Sequence, residues 1–307
     1  MTNYRDAALF LALAAVWGSA FVAIKAGLRA GFEPVLFAAV RYDVAGVIVL
    51  AYAARVTDQW RPRSREDWTV VGIAAVLMIA AYHAFLFVGE TSPGVSSAAA
   101  AVLVSLSPVL TTGFARALLP SERLSVVGLA GLGLGLLGVV VLSDPNLSNL
   151  LGQSTVGELL VFLAAASFAL GSVLTQRVDD SLPIETLEGW AMVVGAVLMH
   201  VASLAAGETQ SIPSSGRALW ALAYLSLAAS AAGFLVYFEL LDRLGPIEIN
   251  LVSYVAPVFA AAGGVVVTNE PVTPNVVLGF VTIFAGFCLL KRRAIADELG
   301  RVRASRA

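Results

Sequence analysis

The side chains best placed to do chemistry are polar or ionisable residues set inside long apolar runs. Trp17, Phe21 and Lys25 recur at i, i+4 and i+8, so one helix carries them on a single face over about 12 Å of rise. Such an aromatic face suits an apolar or cationic solute, with Ser19 adding a hydroxyl. The competing reading is packing, with Lys25 snorkelling to the outer surface. Arg41 and Asp43 lie early in the second apolar run, where a charge costs about 2.5–3.5 kcal/mol on insertion scales. Spaced by two residues, they face apart on a helix and do not simply pair with each other. Either each binds a neighbouring carbonyl or headgroup, or Arg41 holds a carboxylate solute or closes an outer gate. Tyr82-His83 sits past the midpoint of the third run. Imidazole titrates near physiological pH, so His83 is the natural proton-coupling candidate, with an interhelical hydrogen bond as the alternative.

Two prolines stand out for a different reason. Pro108 and Pro257 each fall near the middle of an apolar run. A helical proline removes an N–H and leaves the carbonyl four residues back, at Val104 or Ser253, without its partner. At membrane depth such backbone survives only where protein or a water-filled cavity satisfies it; Ser105, Ser107, Ser253 and Tyr254 are at hand. These residues and Ser172 are expected to line a central cavity, unless the prolines are only packing kinks. Glu122 and Glu270 occupy turns leading into the fifth and tenth runs, where a carboxylate favours a helix N-terminus. Glu90 and Glu239 end the third and eighth runs, where solvation at the interface is expected. His200 is expected at the interface too, and Tyr237 and Asn250 near an inner mouth.

Several chemistries are excluded by context. Gly133, Gly135 and Gly138 spell GxGxxG, but inside one apolar run and not between a strand and a helix, so they make no dinucleotide site. Gly131 and Gly135 form a GxxxG pair, which permits close helix contact within a monomer or in a homodimer. There is no HExxH, GxSxG or Walker loop, and the two histidines lie on distant runs, so an embedded enzyme is the weaker reading. Neither a metal nor a cofactor is expected. Cys288, the one cysteine, excludes an internal disulfide and reads as a small core residue.

The elements that must position these residues are membrane spans. The chain has 307 residues, 59% of them hydrophobic and only 13% charged, with a mean hydropathy of +0.86. A span takes about 20 mostly apolar residues, so ten spans leave only short loops. Charge-poor runs fall at 7–28, 34–54, 68–89, 95–118, 125–142, 157–176, 186–206, 218–239, 248–268 and 274–290, separated by breaks such as Ser92-Pro93-Gly94 and Gly245-Pro246. The first run has the length of a full span and is read as a retained helix, not a signal peptide. With the N-terminus inside, most basic residues fall on the inner side, including Arg55 to Arg65 and the tail after Leu290, against Lys25, Arg29 and Arg217 outside. The positive-inside rule then places both termini in the cytoplasm. The basic tail reads as a topology signal with contact to anionic lipid. A net charge of −2 gives no reason to expect nucleic acid.

The halves resemble one another. Shifting by 149 residues lays Phe85-Leu86, Glu90 and Pro108 on Phe234-Leu235, Glu239 and Pro257, and Gly18-Ser19 has a counterpart in Gly171-Ser172. Five helices per half is an odd number, so the second half enters the membrane in the opposite direction, the construction of many secondary transporters. Trp17-Gly18-Ser19-Ala20-Phe21 with Lys25, Arg41, the Pro108 to Leu124 stretch, the glycine-rich fifth run and the Pro257 to Val272 stretch together resemble the EamA branch of the drug/metabolite transporter superfamily. That branch usually has Gly before the acidic residue of each turn, where this chain has Ser121 and Asn269. The resemblance implies a ten-helix bundle and export or uptake of small metabolites, often amino acids, across the plasma membrane. The expectation is therefore an all-α membrane protein of ten transmembrane helices in two inverted repeats, 1–150 and 151–307. It carries a small organic solute by alternating access around a cavity between helices 1, 3, 4, 6, 8 and 9. With no carboxylate expected near the midplane, transport is either downhill or coupled through His83. A flippase for a lipid carrier, or a receptor, is the alternative.

Overall fold

In a computed structural model, residues 4–118, 126–143, 153–249, 251–290 and 292 are described, and those residues are helical with short turns and no strand. Counting interrupted helices as one, they form ten elements: α1 (Tyr4–Arg29), α2 (Pro34–Val56), α3 (Arg65–Thr91), α4 (Ser97–Leu118), α5 (Val126–Ser143), α6 (Gln153–Thr175), α7 (Ile184–Ala205), α8 (Gly216–Ala223 continuing through Tyr224–Ala232 to Ile249), α9 (Val252–Thr268) and α10 (Pro274–Leu290). Seven are long and apolar enough to cross a membrane; α5, α9 and α10 are shorter apolar helices. The break expected at Gly245-Pro246 is absent, and α8 runs on to Ile249. Valines and leucines such as Val47, Val201, Leu204, Val266 and Val281 point outward, as lipid solvation allows.

The helices begin where short side chains can satisfy orphan amides. Ser64 and Asp67 form a reciprocal capping box on α3, and Ser96 and Ser215 cap α4 and α8. Pro34 opens α2, whose Val35 and Leu36 amides donate to Glu208 from the α7–α8 turn.

Packing pairs elements across the two halves. α1 lies against α8 and α9, and α6 lies against α3 and α4; α2 packs on α7 and α5 on α10. Exchanging helix n with helix n+5 reproduces this set. The α2–α7 and α5–α10 pairs run antiparallel. Gly46 meets Val193 while Gly189 meets Leu50, and Gly138 meets Gly279 and Ile283 while Gly286 meets Gly131 and Gly135. A Cβ on Gly286 would lie 2.7 Å from the Gly131 carbonyl oxygen, so the GxxxG glycines bring α5 and α10 together within one chain.

Two of the interruptions also follow the repeat, whereas the π stretch Gly264–Thr268 of α9 has no counterpart among the described residues of α4. α3 and α8 each hold a π stretch, Ala74–Ala81 and Tyr224–Ala232, which the 149-residue offset brings into overlap. The prolines do not match in this way. α4 breaks at Ser105-Leu106, leaving Pro108 in the first turn of Ser107–Leu118, whereas Pro257 lies inside the continuous helix Val252–Gly263. The Val104 carbonyl that Pro108 frees accepts from the Ser107 hydroxyl at 2.7 Å, and Ser105 Oγ donates to Val102. These hydroxyls serve their own helix.

Candidate functional site

The first cluster joins α1 to α8. Trp17 Nε1 donates to the Ala229 carbonyl at 3.0 Å, and its ring packs on Phe234 and Tyr237. Ser19 Oγ lies 2.6 Å from Tyr224 Oη. Phe21, on the same face by spacing, is buried in the main core, so the aromatic face of α1 is shared between two environments. Ala229 sits inside the π stretch of α8, where bonding has slipped to i−5 and carbonyls at the edges of the slip need new donors. The repeat-related contact is present: Ser167 Oγ on α6 donates at 2.8 Å to Leu77, inside the π stretch of α3. Each π stretch is thus bound by a side chain from the opposite half.

The second cluster connects those two π stretches through α2. Arg41 is buried, 6% exposed; its Nε donates to Ser230 Oγ at 2.7 Å and its guanidinium lies 5.0 Å from the centroid of Tyr42. No described residue hydrogen-bonds to its Nη groups. Tyr42 Oη lies 2.8 Å from His83 Nε2. His83 Nδ1 lies 2.8 Å from the Ile79 carbonyl. A carbonyl only accepts, so Nδ1 carries the proton and Nε2 accepts from the tyrosine. The contacts Ser230–Arg41–Tyr42–His83–Ile79 run from one π stretch to the other and fit a neutral imidazole. Tyr82 stacks edge-on to His83 and near Phe168.

The third cluster closes the end of α1. Lys25 does not snorkel: it is 5% exposed and donates to the carbonyls of Glu90, Ser92 and Val95 at 2.7, 3.2 and 2.7 Å. These oxygens belong to the end of α3 and the turn into α4, where carbonyls lack helical donors and a cation suits them. Glu90 is not solvated; it is fully buried, with no hydrogen bond to either carboxylate oxygen. Glu270 does not serve its own helix. It accepts from the Ser97 amide at the start of α4 (2.9 Å) and from Arg29 (3.0 Å), while Arg29 also donates to the Thr268 carbonyl. Beside them a cavity of about 330 Å³ is lined by Arg29, Pro93, Gly94, Ser96, Glu158, Asn269 and Glu270.

Other expected residues are dispersed. Asp43 pairs with His200 at 2.8 Å on the outer face of α2 and α7, both partly exposed. Glu239 joins Arg5 and Arg243 near the start of α1. Tyr254 packs on Phe284 and Phe287 with its hydroxyl buried and unpartnered; Ser172 and Ser253 are half-buried. Glu122, Asn250 and the basic tail beyond 292 lie outside the described residues. Ser230, Tyr224 and Ser167 escaped the sequence reading because a hydroxyl in an apolar run is common. Glu188, half-buried within electrostatic reach of Tyr42 and Tyr237, had a signal, a carboxylate inside the seventh run, that went unread.

The EamA-like transporter family model matches this chain twice, over residues 6–144 and 155–292. The chain belongs to the EamA-like transporter family. It is 30% identical over 260 residues to the inner membrane transporter YedA of Escherichia coli (strain K12), covering 84% of this chain and 80% of that one. The transporter YoaV of Bacillus subtilis (strain 168) is 26% identical, over 88% of this chain and 91% of its own. A solved crystal structure at 21% identity superimposes with a TM-score of 0.64, over 97% of this chain and all of that one, and bears on the fold alone. The protein is a multi-pass membrane transporter of this family, and the two matched segments correspond to the two halves whose packing exchanges.

Proposed function

We propose that this EamA-family protein is a secondary transporter that moves a small organic solute, an amino acid or related metabolite, outward across the plasma membrane by alternating access. In this reading 1–150 and 151–307 are oppositely oriented repeats, all ten helices cross the bilayer, and both termini are cytoplasmic. The observation that carries it is the antiparallel packing of α2 on α7 and of α5 on α10. An axis exchanging two antiparallel helices lies perpendicular to them, hence in the membrane plane. Carriers with that symmetry hold their substrate between the repeats near the midplane. The shorter α5, α9 and α10 cross by local thinning of the bilayer. Membrane lipid, and a second copy if the protein dimerises, are the partners of the outer face.

Arg41 takes the solute's carboxylate through its open Nη fork, and Trp17 and Tyr82 flank the apolar part. The test is counterflow of radiolabelled amino acids into proteoliposomes loaded with the same unlabelled compound. Arg41→Ala removes a charge-assisted pair of about 1.5–3 kcal/mol, so apparent affinity falls about 10- to 100-fold. Exchange of amines or nucleosides with no movement of amino acids overturns the substrate class; absence of all exchange overturns the carrier reading.

A further inference from the structure

Glu90 and Lys25 face each other in a part of the molecule that solute recognition does not use. Glu90 ends α3, is fully buried and leaves both carboxylate oxygens without a hydrogen bond. Lys25 approaches it closely enough to bond its backbone oxygen, but three carbonyls already receive its three N–H groups, and no ion pair joins it to the carboxylate. A bare carboxylate in that position is opposed by burial and by the negative end of its own helix. Binding one proton converts it to a neutral acid and removes both penalties. A cavity of about 330 Å³ lies beyond the turn that follows Glu90, lined by Pro93, Gly94 and Ser96 and by Arg29 and Glu270.

We propose that Glu90 is the proton-coupling group of this transporter, protonated while the outer end is closed and exchanging its proton with the outer solution when that end opens. Opening requires Arg29 to leave Glu270 and Lys25 to leave the α3–α4 carbonyls, and both contacts hold α1 against its neighbours. An emptied α3 terminus then exposes Glu90 to water, where a carboxylate is at ease. The charged and titratable groups around it are Lys25 and Arg29 on α1, Glu270 in the α9–α10 turn, Glu158 on the cavity wall at the start of α6, and Tyr82 and His83 two turns back on α3; α2 presents Phe37 and α4 presents Ser97 at this level. The site differs from His83, whose two nitrogens are both satisfied in the neutral ring.

The inference rests on the transporter reading, and two measurements separate them. Infrared spectra of the full chain in proteoliposomes, titrated from acidic to alkaline buffer, report protonated carboxyl groups without any solute. A band present at neutral pH is expected to vanish in Glu90→Gln, to shift in Glu90→Asp and to persist in His83→Gln. A band unchanged in folded Glu90→Gln, or one abolished by replacing choline with sodium in the buffer, overturns the proposal, the latter in favour of a metal cation. In the flux arm the probe is a labelled mixture of common L-amino acids. An imposed tenfold proton gradient accumulates a solute about tenfold in a one-to-one coupled carrier. Glu90→Gln is expected to reduce that accumulation to about onefold while equilibrium exchange continues. Accumulation that instead follows His83 overturns the assignment to Glu90. Failure of all exchange in the unsubstituted protein overturns the transporter reading and leaves the infrared result to decide Glu90.

Discussion

Two hydrogen bonds from opposite halves, Trp17 to Ala229 and Ser167 to Leu77, hold carbonyls inside repeat-related π stretches. Removing either donor strands an acceptor in a region poor in water, at about 1–3 kcal/mol. Ser167→Ala and Trp17→Phe are therefore each expected to lower the melting temperature of the detergent-solubilised protein, and the pair to add, because the sites share no partner. An unchanged melting temperature in both would mean that water has taken the donor's place. Trp17 was conspicuous in the sequence through its helical spacing to Phe21 and Lys25, which left open whether it lines a cavity or packs. So was Ser107, flanking a proline that frees a carbonyl. Glu90 was misread as a solvated group, and so was Lys25 in the alternative that had it snorkel to the surface. Their place near span ends suggested solvent, but the turn folds over them, and a one-dimensional pattern carries no information about what covers a helix end.

Among the helices, α5 and α10 approach backbone to backbone through Gly131, Gly135, Gly138, Gly279 and Gly286. A side chain at Gly286 would meet the α5 backbone itself, 2.7 Å from the Gly135 amide nitrogen, and a helix backbone gives way poorly. Gly286→Leu is expected to cost at least about 1–3 kcal/mol, the range for overpacking. Thermal unfolding measures it, and a neutral result would show that the two helices separate freely. The repeated glycines made this seam visible in the sequence as a GxxxG, although not which helix it would meet. The π stretches were invisible, because an apolar run has the same composition whether its amides bond to i−4 or i−5. Pro108 and Pro257 looked alike in sequence and are not: one follows a break that Ser107 and Ser105 stitch together, the other rides within an intact helix.

At the scale of the whole molecule, the repeat was legible from Phe85-Leu86 and Phe234-Leu235, and the packing exchanges as that offset implies. Attaching a fluorescent reporter that matures only in the cytoplasm to either end is expected to give signal in both cases; signal from one end alone would break the antiparallel arrangement. The cross-over of α1 and α6 has a mechanical corollary. Since α1 is embedded with α8 and α9, and α6 with α3 and α4, the proposed alternating-access cycle would rock bodies that are mosaics of the two duplicated units. The segments that must bend are consequently not the joint between the units but the short connections leaving α1 and α6. The first of these turns on Gly31, whose φ of 100° only glycine adopts without strain, so a single residue without a side chain serves as the pivot for one rocking body.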